Sequence, residues 1–273
     1  MKIHFLGTGT STGIPQIGCG CAACTSSDPC DRRLRASAIV TLDDGTNLLI
    51  DCGPDFRQQI IAAGAPPLDA LLITHSHYDH VGGIDDLRPY CKDGRHFPTY
   101  CKADVARDLR ERNPWSFAEH LYPGVPTFAI HEIEAGRPFE INGNGILPVA
   151  VAHGKLPILG YRIGALTYVT DCSAMPESTV EALRGTDTLV INALRHDPHP
   201  SHMSLGEALE LIGRIGPRRA LLTHMSHDMG PEADVTLPAG VAFAHDGLCI
   251  DIPVPARDTD IQSRGTNRDA GLL

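Results

Sequence analysis

Apolar residues fall along this chain in short runs closed off by Gly, Pro and Asp, the pattern of many brief strands joined by tight turns. Runs at 2–6, 37–42, 47–51 and 70–74 predict four strands in the first third, and Asp43-Asp44-Gly45 joins the second to the third as a hairpin. Residues 56–63 predict a short amphipathic helix entered through Pro54 and Asp55, and 102–112 predict another, stopped by Asn113-Pro114. The second half repeats the style, with strands at 145–152, 160–163, 167–170 and 188–192 and a helix over 176–183. Ser204-Leu205-Gly206-Glu207 is a capping box opening a helix that runs to Ile215 and stops at Gly216-Pro217. A strand at 219–223 follows, then a closing pair at 241–244 and 248–252 joined by Asp246-Gly247.

Two β-rich halves, each interleaved with helices, predict an α/β fold in which two sheets pack on one another with helices outside, an αββα sandwich. At 273 residues the chain is expected to form a single domain over 1–254, followed by a polar C-terminal tail over 255–273. A composition of 42% hydrophobic and 21% charged residues, with 27 Gly and 21 Pro, fits a compact fold rich in turns. The strand order is not fixed by these patterns.

Charge narrows the partners. The formal net charge is −10, so no basic field favours DNA or RNA, whereas a small anion could still be held by metal ions and local cations. The opening Met1-Lys2-Ile3-His4-Phe5-Leu6-Gly7 is too short an apolar stretch for a signal peptide, and no run approaches the roughly 18 apolar residues that span a membrane. The expectation is a cytoplasmic protein with no membrane partner. Nine Cys is an odd number, and Cys19-Gly20-Cys21-Ala22-Ala23-Cys24 has a spacing suited to gripping a metal in a reducing compartment.

The chemistry lies in the histidines. The run His75-Ser76-His77-Tyr78-Asp79-His80 comes directly after the strand ending at Thr74 and before Gly82-Gly83. Four ligand-type side chains in six residues can serve two adjacent ions, because alternating positions point to different sides. Imidazole and carboxylate suit zinc and also manganese or iron. His153, Asp171 and His224 are each the first ligand-type residue beyond a strand end, where a loop carries side chains to a common rim. His227 lies three residues after His224, and with Cys19, Cys21 and Cys24 it would complete a closed tetrahedral zinc site that pins the early loop. Gly7-Thr8-Gly9-Thr10-Ser11-Thr12-Gly13 lacks the helix and acidic residue of a dinucleotide fingerprint and reads as a tight loop at the site rim, with Thr and Ser available to a ligand.

This pattern resembles the metallo-β-lactamase superfamily over nearly the whole chain. The resemblance implies that His75, His77 and His153 hold one metal, that Asp79, His80 and His224 hold the other, and that Asp171 bridges two divalent ions, Zn or Mn. The superfamily houses many chemistries, so other residues must choose the branch. Cys19, Cys21, Cys24 and His227, His153-Gly154-Lys155-Leu156, Met175-Pro176-Glu177 after Asp171, and Asp246-Gly247 are similar to the PhnP family of phosphoribosyl cyclic phosphodiesterases. That branch implies a small phosphodiester or nucleotide-like substrate, one structural Zn and a homodimer. By resemblance to phosphodiesterase branches His202 reaches the scissile phosphate, where an imidazolium could protonate the leaving oxygen, and Asp79 is read as catalytic as well as ligating. A hydroxide bridging the metals would attack phosphorus. Two alternatives stand beside this reading. A ribonuclease Z-like enzyme would need a basic arm that is not visible here, and a non-catalytic metal- or nucleotide-binding module would leave the complete ligand set unused.

Overall fold

A computed structural model describes residues 1–253 apart from Tyr122, so the tail expected over 255–273 lies outside the described residues. The first half supplies β1 (Lys2–Gly7), the one-turn α1 (Ala22–Thr25), β2 (Ser37–Thr41), β3 (Asn47–Ile50), α2 (Phe56–Ala62), β4 (Ala70–Leu72), the one-turn α3 (Tyr78–Val81), β5 (Phe97–Cys101), α4 (Ala103–Arg112) and β6 (Phe128–Glu132). The second half supplies β7 (Phe139–Ile141), β8 (Asn144–His153), β9 (Leu156–Ile163), β10 (Leu166–Tyr168), α5 (Glu177–Leu183), β11 (Thr188–Asn192), α6 (Leu205–Ile215), β12 (Arg219–Thr223), β13 (Val241–Phe243) and β14 (Cys249–Asp251). They form two seven-stranded sheets, ordered β14-β1-β2-β3-β4-β5-β6 and β13-β12-β11-β10-β9-β8-β7.

The strand period of two explains how the sheets stack. In β3, Leu48 and Ile50 point into a core between the sheets, where they join Phe5, Val40, Leu72, Tyr161 and Tyr168, while Leu49 points outward to Phe56 of α2 and to Val105 and Leu109 of α4. The second sheet does the same: Val190 and Leu221 face inward, whereas Leu189 and Ile191 pack beneath Val180, Leu183, Ala208 and Leu211 of α5 and α6. Central strands buried on both faces read as continuous apolar runs, and the helices cover the outer faces. The result is the αββα sandwich, and no helix among the described residues is long and apolar enough to cross a membrane.

Local signals hold where they are strong. Ser204 Oγ accepts from the Glu207 N–H and the Glu207 carboxylate accepts from the Ser204 N–H, and α6 ends at Gly216 with φ of 69°. The Asp43-Asp44-Gly45 turn joins β2 and β3 antiparallel, with Thr41 opposite Asn47. The closing pair differs from expectation. β13 runs parallel to β12 in the second sheet, while β14 crosses to pair antiparallel with β1 in the first, Lys2 opposite Asp251. Asp246 sits in the crossover and accepts from Thr8 Oγ1 and the Leu34 N–H, bonds that hold it against the first sheet and away from a hairpin turn.

Candidate metal centre

The ends of β3, β8, β10 and β12, together with the loops after β4 and β11, converge on one rim. Asp51, Asp171 and His224 take φ values of 58°, 55° and 55° at or just beyond their strand ends. Left-handed backbone costs a non-glycine residue about 1–3 kcal/mol and gathers at functional sites. Here it lies at three residues whose side chains are buried in the same cluster.

The loop after β4 divides its side chains between two groups, but not by alternation throughout: His75 and His77 share a group as a spacing of two predicts, while the consecutive Asp79 and His80 share the other because the chain turns into α3 there. His75 and His77 precede α3, and Asp79 and His80 lie within its single turn. The loop is stitched to the segment after β3: the Cys52 N–H donates to the His80 carbonyl and the Gly83 N–H to the Cys52 carbonyl. The approach is so close that a Cβ on Gly53 would stand 2.0 Å from the Asp79 carbonyl oxygen, which only glycine avoids.

One atom each from His75, His77 and His153 lie within 4.8 Å of one another, and the same holds for Asp79, His80, Asp171 and His224. Asp171 is fully buried with its oxygens divided between neighbours: Oδ2 lies 3.2 Å from His80 Nε2 and Oδ1 lies 3.2 Å from His224 Nε2. His202 comes to the same rim, its ring 4.6 Å from that of His153 and 5.1 Å from that of His224. His196 and His199 bond instead to the Met229 carbonyl and to Ser201.

The outer nitrogens of His75, His80 and His153 are committed, which aims their inner ones. The Thr74 N–H and Oγ1–H donate to Asp51, whose Oδ2 also lies 2.7 Å from His80 Nδ1. With its proton so placed, Thr74 Oγ1 accepts from His75 Nδ1 at 3.0 Å. A single carboxylate thus sets the tautomer of two histidines, one from each group, and the Ser201 carbonyl does the same for His153 through Nδ1 at 2.7 Å. His75 Nε2 and His80 Nε2 are left buried with no hydrogen-bond partner. Buried polar atoms are rarely left so, and a divalent cation is what this donor set fits. Asp51 was not singled out in the sequence, where it closes the run predicted as a strand over 47–51; β3 ends at Ile50 and leaves Asp51 as the first ligand-type residue beyond it.

Charge follows from the packing. Burial opposes a charge on His80, but Asp171, Asp79 and Asp51 around the ring outweigh it and hold its pKa well above the usual value. Burial pushes the Asp51 carboxyl up, yet the proton of that pair belongs to His80, which faces three carboxylates. Burial is likewise overcome at Asp171, where His224 and His80 keep the carboxyl well below its usual range. The sign of the pH effect follows. A raised His80 pKa stabilises the fold fully below the unfolded value near 6.5, and this contribution is lost as pH rises through the folded value. A cation taking Nε2 must displace that proton, so metal affinity should rise with pH and uptake should release protons. Calorimetry of the chelator-treated protein in buffers of different ionisation heat checks this; metal uptake at pH 7 without proton release would contradict it.

The second candidate cluster also assembles. Cys19, Cys21, Cys24 and His227 bring ligand atoms within 4.8 Å, with His227 Nδ1 3.5 Å from Cys19 Sγ and 3.4 Å from Cys21 Sγ. The backbone N–H of Cys24 is the main cause that lowers the Cys21 thiol to about 6, which favours thiolate at neutral pH. All nine cysteines are free thiols.

A family model described as a β-lactamase superfamily domain matches residues 46–225. An octanoyltransferase of Porphyromonas gingivalis is 41% identical over 91% of this chain, and the chain spans about half the length of that relative, 51%. The crystal structure of a diphosphatase from the PhnP family superposes with a TM-score of 0.85 at 39% identity, covering 93% of this chain and 98% of that one. Zn²⁺-bound PqqB from Methylobacterium extorquens gives a TM-score of 0.75 at 20% identity, covering 92% of this chain and all of the other, a likeness of fold alone. With two stacked sheets and a buried His/Asp donor set of the kind that could hold divalent metal, the chain is a metal-dependent hydrolase that belongs to the metallo-β-lactamase superfamily and, within it, to the PhnP family.

Proposed function

We propose that the protein hydrolyses a small phosphoric ester, a diester such as a cyclic phosphodiester or a diphosphate ester, at a dinuclear centre. The observation that carries this reading is the division of Asp171 between His80 and His224, with His75, His77 and His153 gathered beside it. His75, His77 and His153 would hold one ion, and Asp79, His80 and His224 the other, with Asp171 between. Ions bound there supply a water of lowered pKa and neutralise phosphoryl oxygens. The 39% identity to a PhnP-family diphosphatase across nearly its full length supports phosphorus as the reacting centre.

The remaining work falls to the chain's own groups. Asp51, Thr74 and the Ser201 carbonyl keep the ligand nitrogens aimed, so no reorganisation is needed when substrate arrives. Burial is the main cause that pushes His202 down to about 3, with His224 adding to it, so the ring rests as neutral imidazole. It then acts first as an N–H donor to a phosphoryl oxygen, and against that anion it would take up a proton from solvent water and pass it to the leaving oxygen. Assay of the metal-loaded protein on bis(p-nitrophenyl) phosphate, a diphosphate diester and a thioester tests the reading. Turnover of a phosphoric ester well above that of the thioester is expected; faster thioester cleavage, or none of the three, would overturn it.

Cys19, Cys21, Cys24 and His227 form a structural zinc site in this reading, tying the loop that bears α1 to the loop that bears His224. Cys24→Ala or His227→Ala should lose one equivalent of zinc and lower Tm while the active-site ions remain. Elemental analysis beside a melting curve would reveal it, and unchanged zinc content would remove the assignment.

A further inference from the structure

Thr10 is carried by the segment after β1, and that segment is fixed from both sides. The Gly9 N–H donates to the Leu34 carbonyl, the Gly9 carbonyl accepts from the Ala36 N–H, and the Thr10 N–H donates to the Met225 carbonyl while the Met225 N–H returns to Thr8. A Cβ on Gly9 would lie 2.9 Å from the Arg33 carbonyl oxygen, so the strand of chain is threaded between two neighbours with no room to shift. Its next residue is thereby placed with little freedom. Thr10 is 7% exposed, and its Oγ1 lies 3.1 Å from His224 Nε2, the nitrogen that also faces Asp171 Oδ1.

That contact conflicts with the work assigned to His224. A nitrogen that gives its lone pair to a cation cannot accept from a hydroxyl, and Thr10 Oγ1 makes no other hydrogen bond among the described residues. A buried donor left without an acceptor is costly, and the group that arrives at this rim in the proposed reaction is an oxyanion. We propose that the Thr10 hydroxyl donates to a phosphoryl oxygen of the bound substrate, making the early Gly-Thr-Gly-Thr loop part of the catalytic machinery. His202, stacked 5.1 Å from His224, is a second side-chain donor beside the same ligand. Thr10 therefore contributes a neutral donor whose position is set by backbone bonds, where His202 contributes one that can also move a proton.

This assignment rests on the phosphoric ester reading, and the two can fail separately. Thr10→Val keeps the shape and removes the hydroxyl, and Thr10→Ser restores it. Inorganic phosphate is the probe, titrated calorimetrically into the metal-loaded proteins, with metal content measured in each. A hydrogen bond to a charged acceptor sets the expected loss for Thr10→Val at roughly 10- to 100-fold in phosphate affinity, with metal content unchanged and Thr10→Ser close to wild type. Phosphate binding by Thr10→Val at wild-type strength overturns the inference and leaves the reading intact. Loss of metal from Thr10→Val also overturns it, because the hydroxyl would then be supporting His224. A wild-type protein that neither binds phosphate nor cleaves a phosphoric ester removes the reading and this inference together.

Discussion

Asp171→Ala is expected to lose metal and turnover together. The side chain is fully buried with each oxygen 3.2 Å from a different histidine, so its removal leaves both groups without their shared anion. Bound metal contributes several kcal/mol to such hydrolyses, and each 1.36 kcal/mol is tenfold, so kcat should fall by roughly 10³ or more. Asp171→Asn keeps the shape with half the donor capacity and should retain the fold while binding metal weakly. Elemental analysis after gel filtration, read beside initial rates, decides the matter. A variant with full metal content and wild-type rates would show that this carboxylate is a bystander.

The second large effect is expected at a residue that touches no metal. Asp51→Ala removes the acceptor for the Thr74 N–H, the Thr74 hydroxyl and His80 Nδ1 at once, and through Thr74 it releases His75 as well. Partners of this kind typically carry about 10- to 100-fold in metal affinity, and breaking a buried charged pair costs about 3–5 kcal/mol of stability. Competition against a chromophoric chelator measures the first quantity and urea unfolding the second. The split is informative: weakened metal binding with unchanged unfolding would assign Asp51 to ligand orientation alone, and wild-type values for both would refute the hub described above.

How much of this could be read from the chain depends on how local each signal is. The run from His75 to His80 is contiguous, so its chemistry is visible without a fold. His153, Asp171 and His224 are legible only through their place after predicted strands, a criterion that Asp51 meets only once β3 is seen to end at Ile50. What separates Asp51 from Asp171 is which neighbours surround it, and that is decided by the pairing of β3 with β4 and of β10 with β11, contacts distant in sequence. Strands β5, β6 and β7 escaped notice because Pro98 interrupts the first, polar residues end the second and only three residues make the third. The capping box of α6 needed no tertiary context, since both its partners lie within one turn. The crossing of β14 into the first sheet could not be foreseen from Asp246-Gly247, a dipeptide that equally suits a hairpin.

That crossing bears on how the chain matures. β1 finds β2 early, but its outer edge is covered only by β14, which emerges from the ribosome last among the described strands. At about 5–20 residues per second, this edge waits on the order of tens of seconds for its partner. An uncovered edge recruits other chains, and charge along it is the common defence. Lys2, the exposed position of β1, places such a side chain where a stray strand would dock. The first strand thus carries its own protection against aggregation until synthesis delivers the last.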